Sequence, residues 1–295
     1  MKLVPALILL LIITSAFKSA MAPGVISLGY DGNYVEISSV KYKEDQFNVI
    51  YMHRDGNRVK VKYFAAADFN GNNVFKRYQK WVDGKSLILV SSGTYMDYDG
   101  VPVGLTIDNG VVVNKTLAKN FDGLVIVNAN GGITVSSLKE GDLKLKGDGI
   151  DTTKKYDLRK SAWDMQAFTK WAVGHEATVF QSHLLVYKNK LDIAFLNASP
   201  AIAPRRFLAI GKDEKGKIVH AIIQSSEYAT LYNGSKKALE FLNEFKDMEV
   251  TFMINLDTGD QDVFKLYDKD GTTNKMIKGA KDISVAVNLL AYYFQ

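Results

Sequence analysis

From Tyr34 onward, short apolar runs alternate with clusters of Gly, Asn and Asp. Runs of that length between turn residues predict strands rather than helices. Residues 34–40, 47–52 and 59–64 read as successive strands. His53-Arg54-Asp55-Gly56-Asn57 reads as a hairpin turn, because Asp-Gly tolerates the positive φ angles of a tight β-turn. Residues 87–90, 105–107, 111–113, 124–127, 133–135, 184–187, 218–223 and 250–254 continue the strand pattern. Asp108-Asn109-Gly110 and Asn130-Gly131-Gly132 each sit between two such runs, as hairpin turns should. The pattern switches to helical spacing twice. Asp157 is the predicted cap of a helix that places Ala162, Met165, Thr169 and Ala172 on one face and stops at Gly174. A second helix, from Ser235, buries Ala238, Leu239, Leu242 and Phe245. Strands in front and alternating helix and strand behind predict an α+β fold, a mixed but largely antiparallel sheet with a few packed helices. Residues 137–157, rich in Lys, Gly and Asp, read as an exposed loop, and no boundary divides the chain.

The first residues follow a different pattern. Lys2 precedes a run, 3–13, that is apolar apart from Pro5, and small residues follow at Thr14, Ser15, Ala16, Ala20 and Ala22. A bilayer-spanning helix needs about 20 apolar residues, so this stretch reads as an export signal over residues 1–22. Ala20-Met21-Ala22 fits the cleavage pattern, with Ala16 as the alternative site because Pro23 would follow the first. Residues 23–295 are then expected to form one domain in the periplasm or outside the cell, with no stable membrane anchor. Lys2 and Lys18 carry two units of the formal +5 charge, which leaves +3 and no basic run dense enough for nucleic acid. The absence of Cys excludes disulfides and thiolate metal sites, and a chain with 47% hydrophobic residues has enough apolar mass for a core without bridges.

Motif chemistry is mostly negative. The sequence has no phosphate-binding Gly-Lys-Ser/Thr loop, no His-Glu-x-x-His, no Gly-x-Ser-x-Gly elbow and no dinucleotide fingerprint. Four His, at 53, 175, 183 and 220, are scattered, so neither a metal site nor a cofactor is expected. Asp68-Phe69-Asn70-Gly71-Asn72-Asn73 and Asp268-Lys269-Asp270-Gly271 begin like calcium loops but lack the later Glu, and read as hairpin turns. Asn114, Asn197 and Asn233 head tripeptides of the glycosylation pattern.

A set of segments taken in order does carry information. Ser92-Gly93-Thr94-Tyr95-Met96, Pro102-Val103-Gly104-Leu105 with Asp108-Asn109-Gly110, Phe180-Gln181-Ser182-His183-Leu184-Leu185-Val186 with Asn189, Arg206 to Gly211, and Asn255-Leu256-Asp257-Thr258-Gly259 follow one another across residues 60–294. Their order and spacing resemble the phosphodiester glycosidase family, which includes the domain of the lysosomal uncovering enzyme and many bacterial exopolysaccharide-associated proteins. The departures are Ser92 for the family's Asn, His183-Leu184 for Gly-Pro, Thr258 for Gly, and an Arg206 one residue further from Gly211.

The resemblance implies an exported hydrolase that cleaves a glycosidic bond to a phosphodiester or related anionic glycan. A sugar on phosphate has a good anionic leaving group, so such a site needs chiefly a carboxylate near the anomeric carbon and cationic or amide donors for the phosphate. Asp257 is the expected carboxylate and Arg206 the phosphate partner, a guanidinium binding two oxygens at once, with Arg205 beside it. Ser92, Gly93, Gln181, Ser182, Asn255, Thr258 and Gly259 are expected to line the substrate, and Tyr95 to stack on a sugar face. The second carboxylate stays open among Asp97, Asp99, Glu227 and Asp260. Substitutions at 92, 183, 184 and 258 also suit a catalytically degenerate member that binds glycan or associates with the envelope.

Overall fold

The computed structural model describes residues 34–54, 58–65, 73–145, 151–193 and 201–295; the stretch 1–22, expected to be an export signal, lies outside them. The chain opens with β1 (Val35–Tyr42), β2 (Asp45–His53) and β3 (Val59–Phe64), followed by helix α1 (Val74–Val82). Next come β4 (Ser86–Ser91), β5 (Thr106–Asp108), β6 (Val111–Asn114), β7 (Gly123–Val127), β8 (Ile133–Ser137) and α2 (Ala162–Gly174). Then follow β9 (Thr178–Ser182), β10 (Leu184–Tyr187), β11 (Lys190–Leu191), β12 (Ala203–Lys212), β13 (Ile218–Ala229) and α3 (Leu231–Phe245). The chain closes with β14 (Glu249–Leu256), β15 (Phe264–Tyr267), β16 (Thr273–Lys278), a 3-10 turn and β17 (Leu289–Phe294).

Among the described residues the strands form three antiparallel sheets: β1-β2-β13-β12-β14-β10-β11, β16-β15-β4-β17-β3 and β6-β5-β9-β7-β8. The fold is therefore α+β, as the pattern predicts. One central core takes Ile37, Ile50, Leu208 and Ile254 from the first sheet, Tyr63, Ile88 and Leu290 from the second, and Val125, Val127 and Phe180 from the third. The opposite face of each sheet is covered by one helix. Phe241 and Leu242 of α3 pack on Phe47, Phe207 and Met253. Phe168 and Trp171 of α2 pack on Leu124, Ile126 and Val179. Val74 and Tyr78 of α1 pack on Phe64, Val90 and Ala291. Strands buried on both faces read as continuous apolar runs, which explains stretches such as Phe207-Leu208-Ala209-Ile210.

Several expectations need correction. The strands flanking His53–Asn57 are not a hairpin: β2 pairs with β1 and β13, whereas β3 pairs with β17 in another sheet. The Asp-Gly pair itself, at 55 and 56, lies outside the described residues. Asp157 does not cap α2. Ser161 does, accepting from Asp164 N, while Asp157 Oδ1 accepts from Arg159 N and Lys160 N one turn earlier. Helix α3 begins at Leu231 behind the cap Thr230, and Phe245 at its end is exposed.

The described part of 137–157 is no plain exposed loop. Leu138, Leu143, Leu145 and Tyr156 are buried under α2, with a bridge between Leu143 and Tyr156. Residues 68–72 are outside the described set; Asn73 caps α1 by accepting from Lys76 N. The turns at Asn109-Gly110 and Gly131 form as expected, Asn109 and Gly110 both taking positive φ (50° and 80°) in the two-residue link between β5 and β6.

Candidate functional site

Residue 257 follows directly on β14, the strand that pairs with β12 so that Arg206 lies opposite Leu256. The end of a strand beside a neighbour carrying two arginines places carboxylate and guanidinium groups together. The loop after β4 completes the arrangement. Asp257 N donates to Gly93 O at 3.0 Å, and Thr94 Oγ1 donates to Gln181 O, so the segments around 93, 181, 206 and 257 meet in space.

Asp257 is only 5% exposed, and its Oδ1 accepts from Gly259 N at 2.9 Å. Burial pushes its carboxyl above the ordinary carboxylate range, against the Gly259 hydrogen bond; Asp262 and Asp260 add to the rise and Arg206 opposes it. Arg206 is fully buried. Its Nε donates to Gln224 Oε1 at 3.0 Å, its Nη1 to Asp262 Oδ1 at 2.9 Å, and its guanidinium lies 4.4 Å from the Phe264 ring centre. Its Nη2 is buried without a hydrogen-bond partner among the described residues. Desolvation lowers the Arg206 pKa, while the Asp262 charge and hydrogen bond and the Asp257 charge hold the cation.

Arg205 points to the other face of β12. Its Nε donates to Ala229 O at 2.9 Å and its Nη2 to Ala201 O, and its Cγ lies, with the Phe207 ring, over Gly234 of α3. Tyr95 lies within the electrostatic reach of both Arg205 and Asp257, and burial pushes its phenol up to about 12. Asn255 Nδ2 donates to Tyr95 Oη and to Leu256 O, whereas Asn255 Oδ1 is buried with no partner among the described residues. His183 stands edge-on to Phe121 and Tyr95, and desolvation lowers its pKa.

Other expected substrate contacts prove to be engaged within the protein. Ser92 Oγ donates to Gln261 O and accepts from Val263 N, fastening β4 to the loop after Asp257. Gln181 Oε1 accepts from Leu105 N and Ala118 N, and its Nε2 donates to Phe121 O, so the amide braces the 118–121 loop. Ser182 Oγ donates to Asn255 O, and Thr258 Oγ1 donates to Pro204 O at 2.7 Å. A Cβ on Gly93 would lie 2.4 Å from Tyr63 Cε2, so glycine there answers the packed Tyr63 ring. These side chains shape the site rather than offer free polar groups to it.

Of the open carboxylates, Asp97 accepts from Asp99 N and Val101 N in its own turn, and Glu227 is exposed near the far end of β13. The sequence reading missed Asp262, which the structure sets between Arg206 and Ala280 N. Nothing in the local pattern marks it, since its role depends on an arginine 56 residues away. Among the described residues no group of three or more His, Cys, Asp or Glu is placed to hold a metal ion. No described helix is long and apolar enough to cross a membrane.

No family model and no curated protein matches the sequence. Among solved structures, the chain is similar to a hypothetical protein from Synechocystis, with 10% identity over 93% of this chain and a TM-score of 0.52; the match spans 64% of that protein. A zebrafish N-acetylglucosamine-1-phosphodiester alpha-N-acetylglucosaminidase catalytic domain, auto-inhibited by its pro-peptide, matches with 14% identity over 94% of this chain and 86% of that one, at a TM-score of 0.48. At such identities the likeness is one of fold alone.

Proposed function

We propose that the protein is an exported hydrolase that cleaves a glycosidic bond to a phosphodiester or related anionic glycan, with Asp257 as its working carboxylate. One observation carries this reading: segments far apart in the chain, each singled out by the ordered resemblance to phosphodiester glycosidases, meet around Asp257. A carboxyl raised by burial is a better base toward water than an ordinary Asp, and its charged form suits the positive anomeric carbon of the transition state. Arg206, fully buried and paired with Asp262, supplies fixed positive charge that acts on Asp257 through space. Tyr95, which feels the charge of both Asp257 and Arg205, and Asn255, bonded to Tyr95 Oη, are the polar side chains the reading assigns to sugar hydroxyls, with Arg205 beyond Tyr95 for the phosphate. The departing phosphate needs no general acid, which suits a site where one carboxylate carries the chemistry. Export rests on the apolar N-terminal stretch.

The test is to incubate the protein with uridine-diphosphate sugars and aryl glycosides and assay free sugar. Wild type should release it, and Asp257→Asn should not; a wild type no more active than the variant sinks the proposal. A second reading is favoured by the internal engagement of Ser92, Gln181 and Ser182 and the full burial of Arg206. It is a glycan-binding protein of the same fold, and saturable binding of an anionic oligosaccharide without turnover would support it.

A further inference from the structure

A cavity of about 510 Å3, whose lining does not include Asp257, runs along the β15–β16 hairpin and the segment that follows it. Its size falls within the roughly 300–1,000 Å3 of small-ligand sites. The cause is local. Leu266 pairs with Asn274, yet the next pair is Lys265 with Lys278, so three residues of β16 have no counterpart on β15. Such a bulge bends the strand and re-aims its side chains. Here it opens a hollow floored by Phe264 and Ile277, both nearly inaccessible, with the buried Asn274 in its wall.

The lining is cationic. Lys265, Lys275, Lys278 and Lys281 contribute to it, against a single acidic residue, Asp282, which lies 3.5 Å from Lys265. Two of these lysines, Lys265 and Lys278, are register partners, and like charges directly opposite one another disfavour strand pairing. An anion in the hollow would relieve that repulsion. The floor is recessed and the rim charged, so no large exposed apolar side chain is offered to a bilayer; ring faces of a saccharide suit the floor, and its carboxylates or phosphates suit the rim.

We propose that this hollow binds an acidic oligosaccharide segment. It shares Phe264 with the ring beneath Arg206, and its wall residue Ala280 donates to Asp262, so the two sites stand back to back. The proposal does not rest on the reading of Asp257.

The test is calorimetric titration of the full chain with tetragalacturonate, which contains no phosphodiester, alongside maltotetraose, inorganic phosphate and anionic phospholipid vesicles. Wild type should bind tetragalacturonate, with affinity falling as salt rises, and should not bind maltotetraose. Lys278→Glu combined with Lys281→Glu should weaken binding at least tenfold. Should the double variant fail to fold, Lys275→Glu, at an exposed position, is read in the same way. Equal affinity in wild type and variants overturns the proposal. So does phosphate binding as tightly as the tetrasaccharide, vesicle binding without tetrasaccharide binding, or no binding at all, in which case the lysines serve only to keep an edge strand from pairing.

Discussion

Asp257 carries its charge against the preference of its surroundings, and that has a measurable consequence. Its pKa is raised in the folded state, so the folded chain binds the proton more tightly than the unfolded one. The resulting stability is fully present below the unfolded value of about 3.9 and is lost as pH rises through the folded pKa. Asp257→Asn should therefore melt at a higher temperature than wild type at pH 7, with the gain closing toward pH 4. His220 has the opposite sign. It is buried against Tyr292 Oη at 3.1 Å, and desolvation holds its pKa well below the ordinary value. Its contribution is present above about pH 6.5 and is lost as pH falls, by up to about 1.4 kcal/mol per pH unit. His220→Gln should flatten that acid slope in urea titrations run at several pH values. Asp257 was singled out by the ordered resemblance of its Asn255–Gly259 segment to a family turn, while its local pattern, a carboxylate in a turn after an apolar run, marks only the turn. The engagement of Ser92 was not legible, since its partners Gln261 and Val263 are distant in sequence and use backbone groups that any residue supplies.

Elements set the site through braces that can be broken singly. Gln181 lies on β9, yet its amide satisfies Leu105 N, Ala118 N and Phe121 O in two loops. Gln181→Leu would leave those buried groups unpaired at about 1–3 kcal/mol each, and should appear as a large drop in the urea midpoint rather than a change in KM alone. Asp262 braces the other flank. Asp262→Ala strands the buried Arg206 cation and should cost about 3–5 kcal/mol, again read from urea unfolding.

Strand positions were readable in the sequence because alternating apolar runs and turn residues are local, and β3 and β10 fall where the pattern puts them. Helix α1 was missed: in 73–82 only Val74 and Tyr78 are buried, and the cap Asn73 sits in a run of Asn and Gly that looks like a turn. The pairing of β3 with β17 rather than β2 was equally hidden, because sheet membership is decided by burial across the whole chain.

At the scale of the molecule, three sheets share one core, and each is closed on its outer face by a helix. The loop after β4 leaves the second sheet, β9 belongs to the third, and β12 and β14 to the first, so the group around Asp257 stands where all three sheets meet. That junction explains why site residues are so widely spaced in the chain. It also explains why several polar side chains are spent on joining the sheets. The most direct test of the account is kcat/KM for sugar release from an aryl glycosyl phosphodiester, measured on wild type and Asp257→Asn together with their melting temperatures. The account predicts a loss of at least about 100-fold, on the order of general acid-base contributions, in a variant that melts no lower than wild type at pH 7. Equal rates in the two proteins would contradict it.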